Sequence, residues 1–279
     1  MKTELCERSE RRLGSESETA RERILSRPGE VLVFADWEEA IFLHFSVAPE
    51  LLAPFVLRPF DLDLFQGKAY VSLVNLTMRR FQPSQVGSIG SLLRFVSQER
   101  VLNLRTYVRR GEERGAYFLW GWLSRPGDLP WPSGIFGLPY EFASMKYEHD
   151  KDAGKFLGSV ISEHDRLGYC ASAPPAATPA VCTANSLEEF AMERYAGYYQ
   201  RNGKVCAFRI WHDPWKQVPI RASIECATLV RSKLPWFERA VLAGASYSPG
   251  FQKVWLGRPH ATTVNQARRH GLSSFYEMP

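Results

Sequence analysis

The sequence lacks several features that would place it in familiar functional classes. None of its apolar runs reaches the length of a membrane-spanning helix. The first twelve residues are charged and lack the apolar segment of a secretory signal. No glycine-rich phosphate loop, Walker pattern or Ser-His-Asp order is present. We therefore expect no membrane association and exclude P-loop and serine-triad chemistry.

Cysteine is scarce, and the five cysteines are widely spaced without a Cys-x-x-Cys pair. This pattern predicts reduced thiols in a cytoplasmic protein and no disulfide framework or zinc site. Glu-His-Asp occurs twice, at residues 148–150 and 163–165. Neighbouring residues on a strand point to opposite faces, so each triplet offers at most two ligands on one side. We predict no metal site and no cofactor.

The net charge of +5 and the pI of about 9.0 are mildly basic, and no block of lysine and arginine concentrates the charge. Nucleic-acid binding would need a basic stripe or a known reader motif, so no nucleic-acid partner is expected. With 45% hydrophobic and 23% charged residues, the composition is that of an ordinary globular protein. The predicted partner is a small molecule.

The chain divides by composition into three parts. Residues 1–29 are charged and predict a mobile or loosely docked extension. Residues 30–257 form one predicted domain, and residues 258–279 form an irregular basic tail. The domain contains about ten predicted strands, two or three short helices and regularly spaced turns, which favours a mainly β fold, an antiparallel barrel or sandwich.

The stretch from Val101 to Leu123 predicts a hairpin at the centre of this domain. Its first half alternates strictly, with Leu102 and Leu104 on one face and three polar residues on the other. A turn at residues 111–114 would connect the strands. The predicted cross-strand pairs are Asn103 with Trp122, Arg105 with Trp120, and Tyr107 with Phe118.

This polar face combines an arginine, a phenol and an amide with large aromatic residues, which is typical of a closed pocket for a mostly apolar ligand. Arg105 is the first candidate anchor, because a guanidinium matches a carboxylate in two hydrogen bonds. Alternatively, Arg105 is a structural arginine held by a carboxylate or covering exposed tryptophan rings. Tyr107 and His212 are the candidate acid or base groups.

Several motifs together resemble one family, and the likeness runs over residues 31–224. The motifs are Phe42-Leu43-His44-Phe45, Val47-Ala48-Pro49, residues 67–74, Asn103-Leu104-Arg105-Thr106-Tyr107-Val108, Gly115-Ala116-Tyr117-Phe118, Leu138-Pro139-Tyr140, Glu193-Arg194-Tyr195 and His212-Asp213-Pro214-Trp215. Their order is similar to that of the YqjF-like family, uncharacterised bacterial proteins of the acetoacetate decarboxylase-like superfamily.

The resemblance implies a closed, cone-like antiparallel β-barrel around a buried pocket. The decarboxylases of this superfamily use a lysine that forms a Schiff base, activated by an adjacent cation. Their Gly-aromatic-Pro-Lys-Lys segment resembles Gly137-Leu138-Pro139-Tyr140-Glu141 here, so Tyr140 and Glu141 replace both lysines. Lys146, which has the strand parity of Tyr140, is the alternative nucleophile.

These observations leave three hypotheses. The first is a protein that binds a small carboxylic or keto acid, either without catalysis or as an enzyme that needs no Schiff base. The second is a lyase that uses Lys146, and the third is a non-catalytic interaction protein. For the first two, the predicted catalytic residues are Tyr107, His212 and Lys146, and the predicted ligand-binding residues are Asn103, Arg105, Phe118, Trp120 and Tyr140.

Overall fold

The structure is a computed structural model, and it describes residues 2–84, 98–124, 136–174 and 177–262. Its helices are α1 (Lys2–Leu25), α2 (Pro49–Leu52), α3 (Leu187–Met192) and α4 (Thr228–Arg231), with 3-10 helices at Ala53–Phe55 and Pro235–Arg239. Its strands are β1 (Val31–Val47), β2 (Asp61–Leu62), β3 (Ala69–Pro83), β4 (Gln98–Arg110), β5 (Glu113–Leu123), β6 (Tyr140–Phe142), β7 (Ser144–Asp150), β8 (Lys155–Ser162), β9 (Asp165–Ser172), β10 (Ala180–Val181), β11 (Ala196–Arg201), β12 (Lys204–Trp211), β13 (Lys216–Pro219), β14 (Arg221–Ala227), β15 (Val241–Gly257) and β16 (His260–Ala261).

The fold is mainly β, as the sequence predicted. Twelve strands of the described chain form one large sheet, ordered β10-β13-β15-β1-β3-β4-β5-β11-β12-β16, with β2 on β4 and β6 on β5. β12 also pairs with β15 through Ile210↔Leu256 and Trp211↔Trp255. Four further strands form a small sheet in the order β14-β9-β8-β7. The predicted antiparallel order is wrong at two places, because β5 runs parallel to both β6 and β11.

Strand alternation gives the large sheet two apolar faces. Leu43, Leu73 and Leu104 belong to a core that also contains Phe156 and Tyr169 of the small sheet. The residues of opposite parity, among them Phe42, Val74 and Val101, belong to a second core formed mostly within the large sheet. Because successive side chains on a strand point to opposite faces, the same strands serve both cores. The small sheet therefore covers one face and leaves the other to enclose a site.

The central hairpin forms, but its predicted register is wrong. The observed pairs are Asn103↔Gly121, Arg105↔Phe118 and Tyr107↔Ala116. Two causes combine. The connection is the two-residue turn Gly111-Glu112, with Gly111 at φ +61°, and a β-bulge shifts the register between Leu104 and Arg105. At Arg105 the observed pairing differs from the predicted pairing by two residues, so Phe118 stays on its predicted face. Beyond the bulge, Trp120 pairs with Leu104 and therefore lies on the opposite face.

The N-terminal segment, predicted as a mobile or loosely docked extension, contains a 24-residue helix that packs on the sheet. Leu13 and Ile24 are fully buried, and Ala20 is nearly so. The Ser17 hydroxyl donates to the His212 carbonyl at 2.7 Å. Among the helices of the described residues, α1 is the one longer than six residues. No helix in the described ranges is both long and apolar enough to cross a membrane.

The predicted C-terminal tail begins as ordered chain. The Arg258 amide donates to the Glu30 carbonyl at 2.7 Å, and β16 pairs with β12. Residues 263–279, the rest of the predicted tail, lie outside the described residues. Two short sequence motifs adopt the local structures that their residue types favour. Asn202-Gly203 turns the β11–β12 hairpin with positive φ at both residues, and Ser186 caps α3 by accepting from the Glu189 amide at 3.1 Å.

Candidate functional site

An interior cavity lies within the second core, against the face of the large sheet that the small sheet does not cover. The volume open to the centre of a water molecule is about 50 Å³, which is room for a few water molecules or a small organic compound. Most of its wall is apolar. Its aromatic residues include Trp37, Phe42, Phe118, Phe208 and Trp215.

Five polar side chains also line this cavity. Asn103 and Arg105 come from β4, Tyr140 from β6, Arg194 from the segment after α3, and His212 from the segment after β12. A few polar groups converging in an apolar cavity are the usual composition of a small-molecule site. We therefore treat this cavity as the candidate functional site.

Arg105 is a buried cation without a described counter-ion. Its residue is 8% exposed, its Nη2 donates to the Ala191 carbonyl at 3.1 Å, and its Nε has no hydrogen-bond partner within the described chain. No described carboxylate oxygen lies within 4.0 Å of the guanidinium. The guanidinium carbon is 5.6 Å from the ring centroid of Phe42, which gives it a favourable cation–π contact.

Arg194 is the second buried cation of the cavity, and it is paired. Its Nη1 lies 2.8 Å from Asp63 Oδ2, the same oxygen that Arg114 contacts at 2.7 Å. Its Nε donates to the Phe190 carbonyl at 2.7 Å, while its Nη2 has no partner in the described part of the chain. Burial lowers the pKa of Arg194 to about 10, and the charge of Asp63 opposes this. Arg194 therefore stays charged at neutral pH.

The last carbonyls of α3 hold both guanidinium groups. Arg194 binds the Phe190 carbonyl and Arg105 binds the Ala191 carbonyl, which follows it. The carbonyls of the last helical turn lack intrahelical partners and carry partial negative charge, so they suit cationic donors. α3 therefore fixes the two cations beside each other.

His212 is a neutral imidazole. Burial lowers its pKa to about 4, and the nearby positive charge of Arg105 also lowers it, against the hydrogen bond at the Asp213 carbonyl. Its Nδ1 is 2.7 Å from that carbonyl oxygen. A carbonyl only accepts, so Nδ1 carries the proton at this hydrogen bond. Uncharged His212 can act as a base at pH 7, and it does not add to the positive charge of the cavity.

Tyr140 reaches the cavity because β5 has a glycine beside it. A Cβ atom on Gly121 would lie 2.1 Å from Cε1 of Tyr140, so any side chain there would displace the ring. Burial raises the pKa of Tyr140, and Arg105 only partly opposes this. The phenol is therefore protonated at neutral pH and can donate a hydrogen bond to a ligand.

The structure brings together five of the eight predicted site residues. Asn103, Arg105, Phe118, Tyr140 and His212 all line the cavity. These five come from four separate segments of the chain, so the cavity joins the central hairpin to β6 and to the end of β12.

The other three predicted residues do not line the cavity. Tyr107 is fully buried, and its hydroxyl is 2.5 Å from the Ser72 hydroxyl, which is 2.7 Å from Nδ1 of His44. Trp120 packs against the core shared with the small sheet, for the register reason given above. Lys146 is exposed on β7 and lies 2.5 Å from Glu148.

Sequence reasoning missed Arg194 and its partner Asp63. By sequence, Arg194 follows a predicted helix, where a cation suits the C-terminal dipole, and its hydrogen bond to the Phe190 carbonyl fits that structural role. Its role in the cavity depends on Asp63, 131 positions earlier in the chain. The one available signal was Glu193-Arg194-Tyr195 among the motifs of the resemblance.

The fold is that of an acetoacetate decarboxylase-like protein, and its interior cavity contains two arginines. The family model DUF2071, "Uncharacterized conserved protein", matches residues 35–251, and the chain belongs to this family. It is also similar to the uncharacterized protein YqjF of Bacillus subtilis (strain 168), with 26% identity over 193 residues, 69% of this chain and 78% of that protein. The predicted family is therefore confirmed.

Solved structures support the same fold. A structure of acetoacetate decarboxylase has a TM-score of 0.57 at 13% identity, covering 85% of this chain and 93% of its own. The acetoacetate decarboxylase of Legionella pneumophila has a TM-score of 0.55 at 13% identity, with 87% and 94% covered. The enduracididine biosynthesis enzyme MppR complexed with pyruvate has a TM-score of 0.53 at 12% identity, with 82% and 90% covered. At these identities the likeness concerns the fold alone.

Proposed function

We propose that the protein binds a small, mostly apolar monocarboxylate in the interior cavity, with Arg105 as its anchor. One observation carries the proposal: Arg105 is 8% exposed and lines the cavity, and its guanidinium has no described carboxylate within 4.0 Å. An uncompensated buried charge is costly, by several kcal/mol in proteins. A ligand carboxylate would supply both the missing negative charge and a planar pair of acceptors.

The remaining polar groups favour a second oxygen on the ligand. The Tyr140 phenol is a donor, and the Asn103 Oδ1 atom is buried without a partner in the described chain. A keto or hydroxy oxygen beside the carboxylate would accept from the Tyr140 phenol, and a hydroxy group would also donate to Asn103 Oδ1. The proposed ligand class is therefore a carboxylic or keto acid small enough for the cavity. In a catalytic version of this proposal, neutral His212 serves as the base.

The proposal involves no covalent imine. No lysine is among the described residues that line the cavity. By the motif resemblance, Tyr140 and Glu141 replace the lysine pair of the decarboxylases. In the structure, Glu141 accepts from Lys233 at 2.8 Å. Lys146 lies on the solvent side of β7, so its position gives the lyase hypothesis no support.

We also propose that the large sheet closes into the cone-like barrel that the family resemblance implies. The support is the β12–β15 pairing, which joins two strands that are already linked through β1, β3, β4, β5 and β11. Such closure would separate the cavity from bulk water and strengthen the attraction between Arg105 and an anion.

The test is a calorimetric titration of the wild type and Arg105→Met with pyruvate, butyrate and benzoate, and with the methyl esters of these acids. We expect the wild type to bind at least one acid and none of the esters. Arg105→Met should weaken that binding about tenfold or more, because a hydrogen bond to a charged group contributes roughly 1.5–3 kcal/mol. Arg105→Lys keeps the positive charge but loses the planar pair of N–H donors. Its affinity for the acid should therefore lie between those of the wild type and Arg105→Met.

The matched control is Arg166→Met, which removes an exposed arginine 3.7 Å from Glu225 on the small sheet. It should leave acid binding unchanged. Acid affinity that is equal in the wild type and Arg105→Met would contradict the proposal. So would an Arg105→Met protein that no longer melts cooperatively, since Arg105 would then be needed for folding.

A further inference from the structure

A second, more open pocket lies at the end of the large sheet where the β4–β5 hairpin, β11, β12 and β16 meet. The volume open to the centre of a water molecule is about 280 Å³, several times that of the interior cavity. Phe208 borders both pockets. The second pocket is therefore a neighbour of the interior site with a different wall.

Three arginines line this second pocket. Arg27 follows α1, Arg110 ends β4 and Arg209 lies on β12, and none of them is within 4.0 Å of a carboxylate among the residues that the structure describes. The Nε atom of Arg209 is buried and has no partner there. Guanidinium donors that are neither paired nor fully solvated are suited to an anion.

The backbone fixes these positions. Arg110 pairs with Glu113 across the hairpin, and Arg209 pairs with Ala196 on β11. The segment after α1 is held by two hydrogen bonds at 2.7 Å, from the Arg258 amide to the Glu30 carbonyl and from the Arg258 Nε to the Gly29 carbonyl. The three arginines therefore converge from separate, anchored segments.

The one carboxylate in the pocket wall belongs to Glu113. It faces the Tyr198 hydroxyl, and burial followed by this negative charge raises the pKa of Tyr198. Three arginines and one glutamate give the wall a formal charge of +2, without counting His260. A dianion matches this charge, and phosphate oxygens match the arginine forks.

The pocket is also lined by the aromatic residues Phe60 and Tyr198. Phe60 and Tyr198 lie with ring centroids 4.4 Å apart, and both residues are nearly buried. Their position beside the arginines provides an apolar contact next to the charged wall. The combination fits a ligand with one phosphate group and one small ring or apolar group.

We propose that this pocket binds a small phosphomonoester, with its dianionic phosphate on Arg110 and Arg209 and assisted by Arg27. This pocket is distinct from the interior carboxylate cavity, because it has different arginines, a larger volume and a wider opening to solvent. The chemistry would be shared by a soluble phosphate ester and by the headgroup of phosphatidic acid.

The experiment is a calorimetric titration of the full chain with phenyl phosphate, inorganic phosphate and benzoate, and a sedimentation assay with vesicles containing phosphatidic acid. We expect phenyl phosphate to bind more tightly than phosphate, and benzoate not to occupy this site. Arg110→Gln and Arg209→Gln should each weaken phenyl phosphate binding about tenfold. Vesicle binding that these variants also weaken would identify a lipid headgroup as the source.

Arg166→Gln is the control, since it removes an exposed arginine on the small sheet. It should not change phenyl phosphate binding. Two outcomes would overturn the proposal. One is that the protein binds neither phenyl phosphate at millimolar concentration nor phosphatidic acid vesicles. The other is binding that Arg110→Gln and Arg209→Gln leave intact. Neither outcome bears on Arg105, so the carboxylate proposal is tested separately.

Discussion

At the scale of single residues, the position of Tyr140 in the site depends on the glycine at position 121 of the neighbouring strand. Gly121 has no Cβ, and the Tyr140 ring occupies the space that a Cβ would need, 2.1 Å away. Interiors are close-packed, so an added methyl group must push the ring aside. The position of one cavity donor is therefore set by a residue on the neighbouring strand.

Gly121→Ala should lower the free energy of unfolding by about 1–3 kcal/mol, the usual cost of overpacking. It should also weaken acid binding by displacing the Tyr140 phenol. In Gly121→Ala/Tyr140→Ala the clash is gone, so urea denaturation should show that the two substitutions are not additive. Gly14→Ala is the control, because nothing lies within 4 Å of its Cβ position. Additive effects of Gly121→Ala and Tyr140→Ala would contradict this explanation.

The predictability of the site also differs residue by residue. Asn103 and Arg105 could be placed on one face because alternation along β4 is a local property. Trp120 could not be placed, because the bulge between Leu104 and Arg105 inserts a residue that no periodicity reveals. Arg194 could not be assigned to the cavity, because Asp63 and Arg105 approach it only in the folded chain.

At the scale of elements, the docking of α1 shows why a weak sequence pattern was misjudged. The buried residues Ser9, Leu13, Ser17, Ala20 and Ile24 follow helical spacing. Three of these five are small, so the stripe has little hydrophobicity and the segment resembled a solvated extension. By contrast, the turn at Asn202-Gly203 and the cap at Ser186 were predictable, since both depend on a few adjacent residues.

The same helix offers a matched pair of leucines. Leu13 is fully buried and Leu25 is 52% exposed. Leu13→Ala should lower the free energy of unfolding by roughly 2–4 kcal/mol, as for other buried leucines, or should release the helix from the sheet. Leu25→Ala should have an effect below about 0.5 kcal/mol. Urea denaturation and amide hydrogen exchange of residues 2–25 measure both results. Equal, small effects of the two substitutions would show that α1 is not docked.

At the scale of the whole molecule, buried titratable groups determine how stability depends on pH. Burial lowers the pKa of His44 to about 3, and those of His149 and His212 to about 4, from 6.5. The unfolded chain takes up protons near pH 6.5 that the folded chain does not. The contribution of these histidines is therefore complete above pH 6.5 and is lost as the pH falls toward 4.

Glu193 acts in the opposite direction. Burial raises its pKa to about 7 from 4.5, so its contribution is complete below pH 4.5 and is lost as the pH rises through 7. Three histidines outweigh one glutamate, so the free energy of unfolding should rise from pH 4.5 to pH 6.5. Glu193→Gln removes the opposing contribution and should make this rise steeper. Urea denaturation at pH 5.0 and 6.5 tests this, and a flat profile in both proteins would contradict it.

The attachment of both cavity cations to the end of α3 has a consequence for specificity. The guanidinium groups of Arg105 and Arg194 donate to consecutive carbonyls of α3, so a small displacement of this short helix would move both groups in the same direction. The distance between the two guanidinium groups would stay the same, whereas their distance from the Tyr140 phenol would change. Substitutions at the ends of α3 would thus change which acid the cavity binds, without any substitution in the strands.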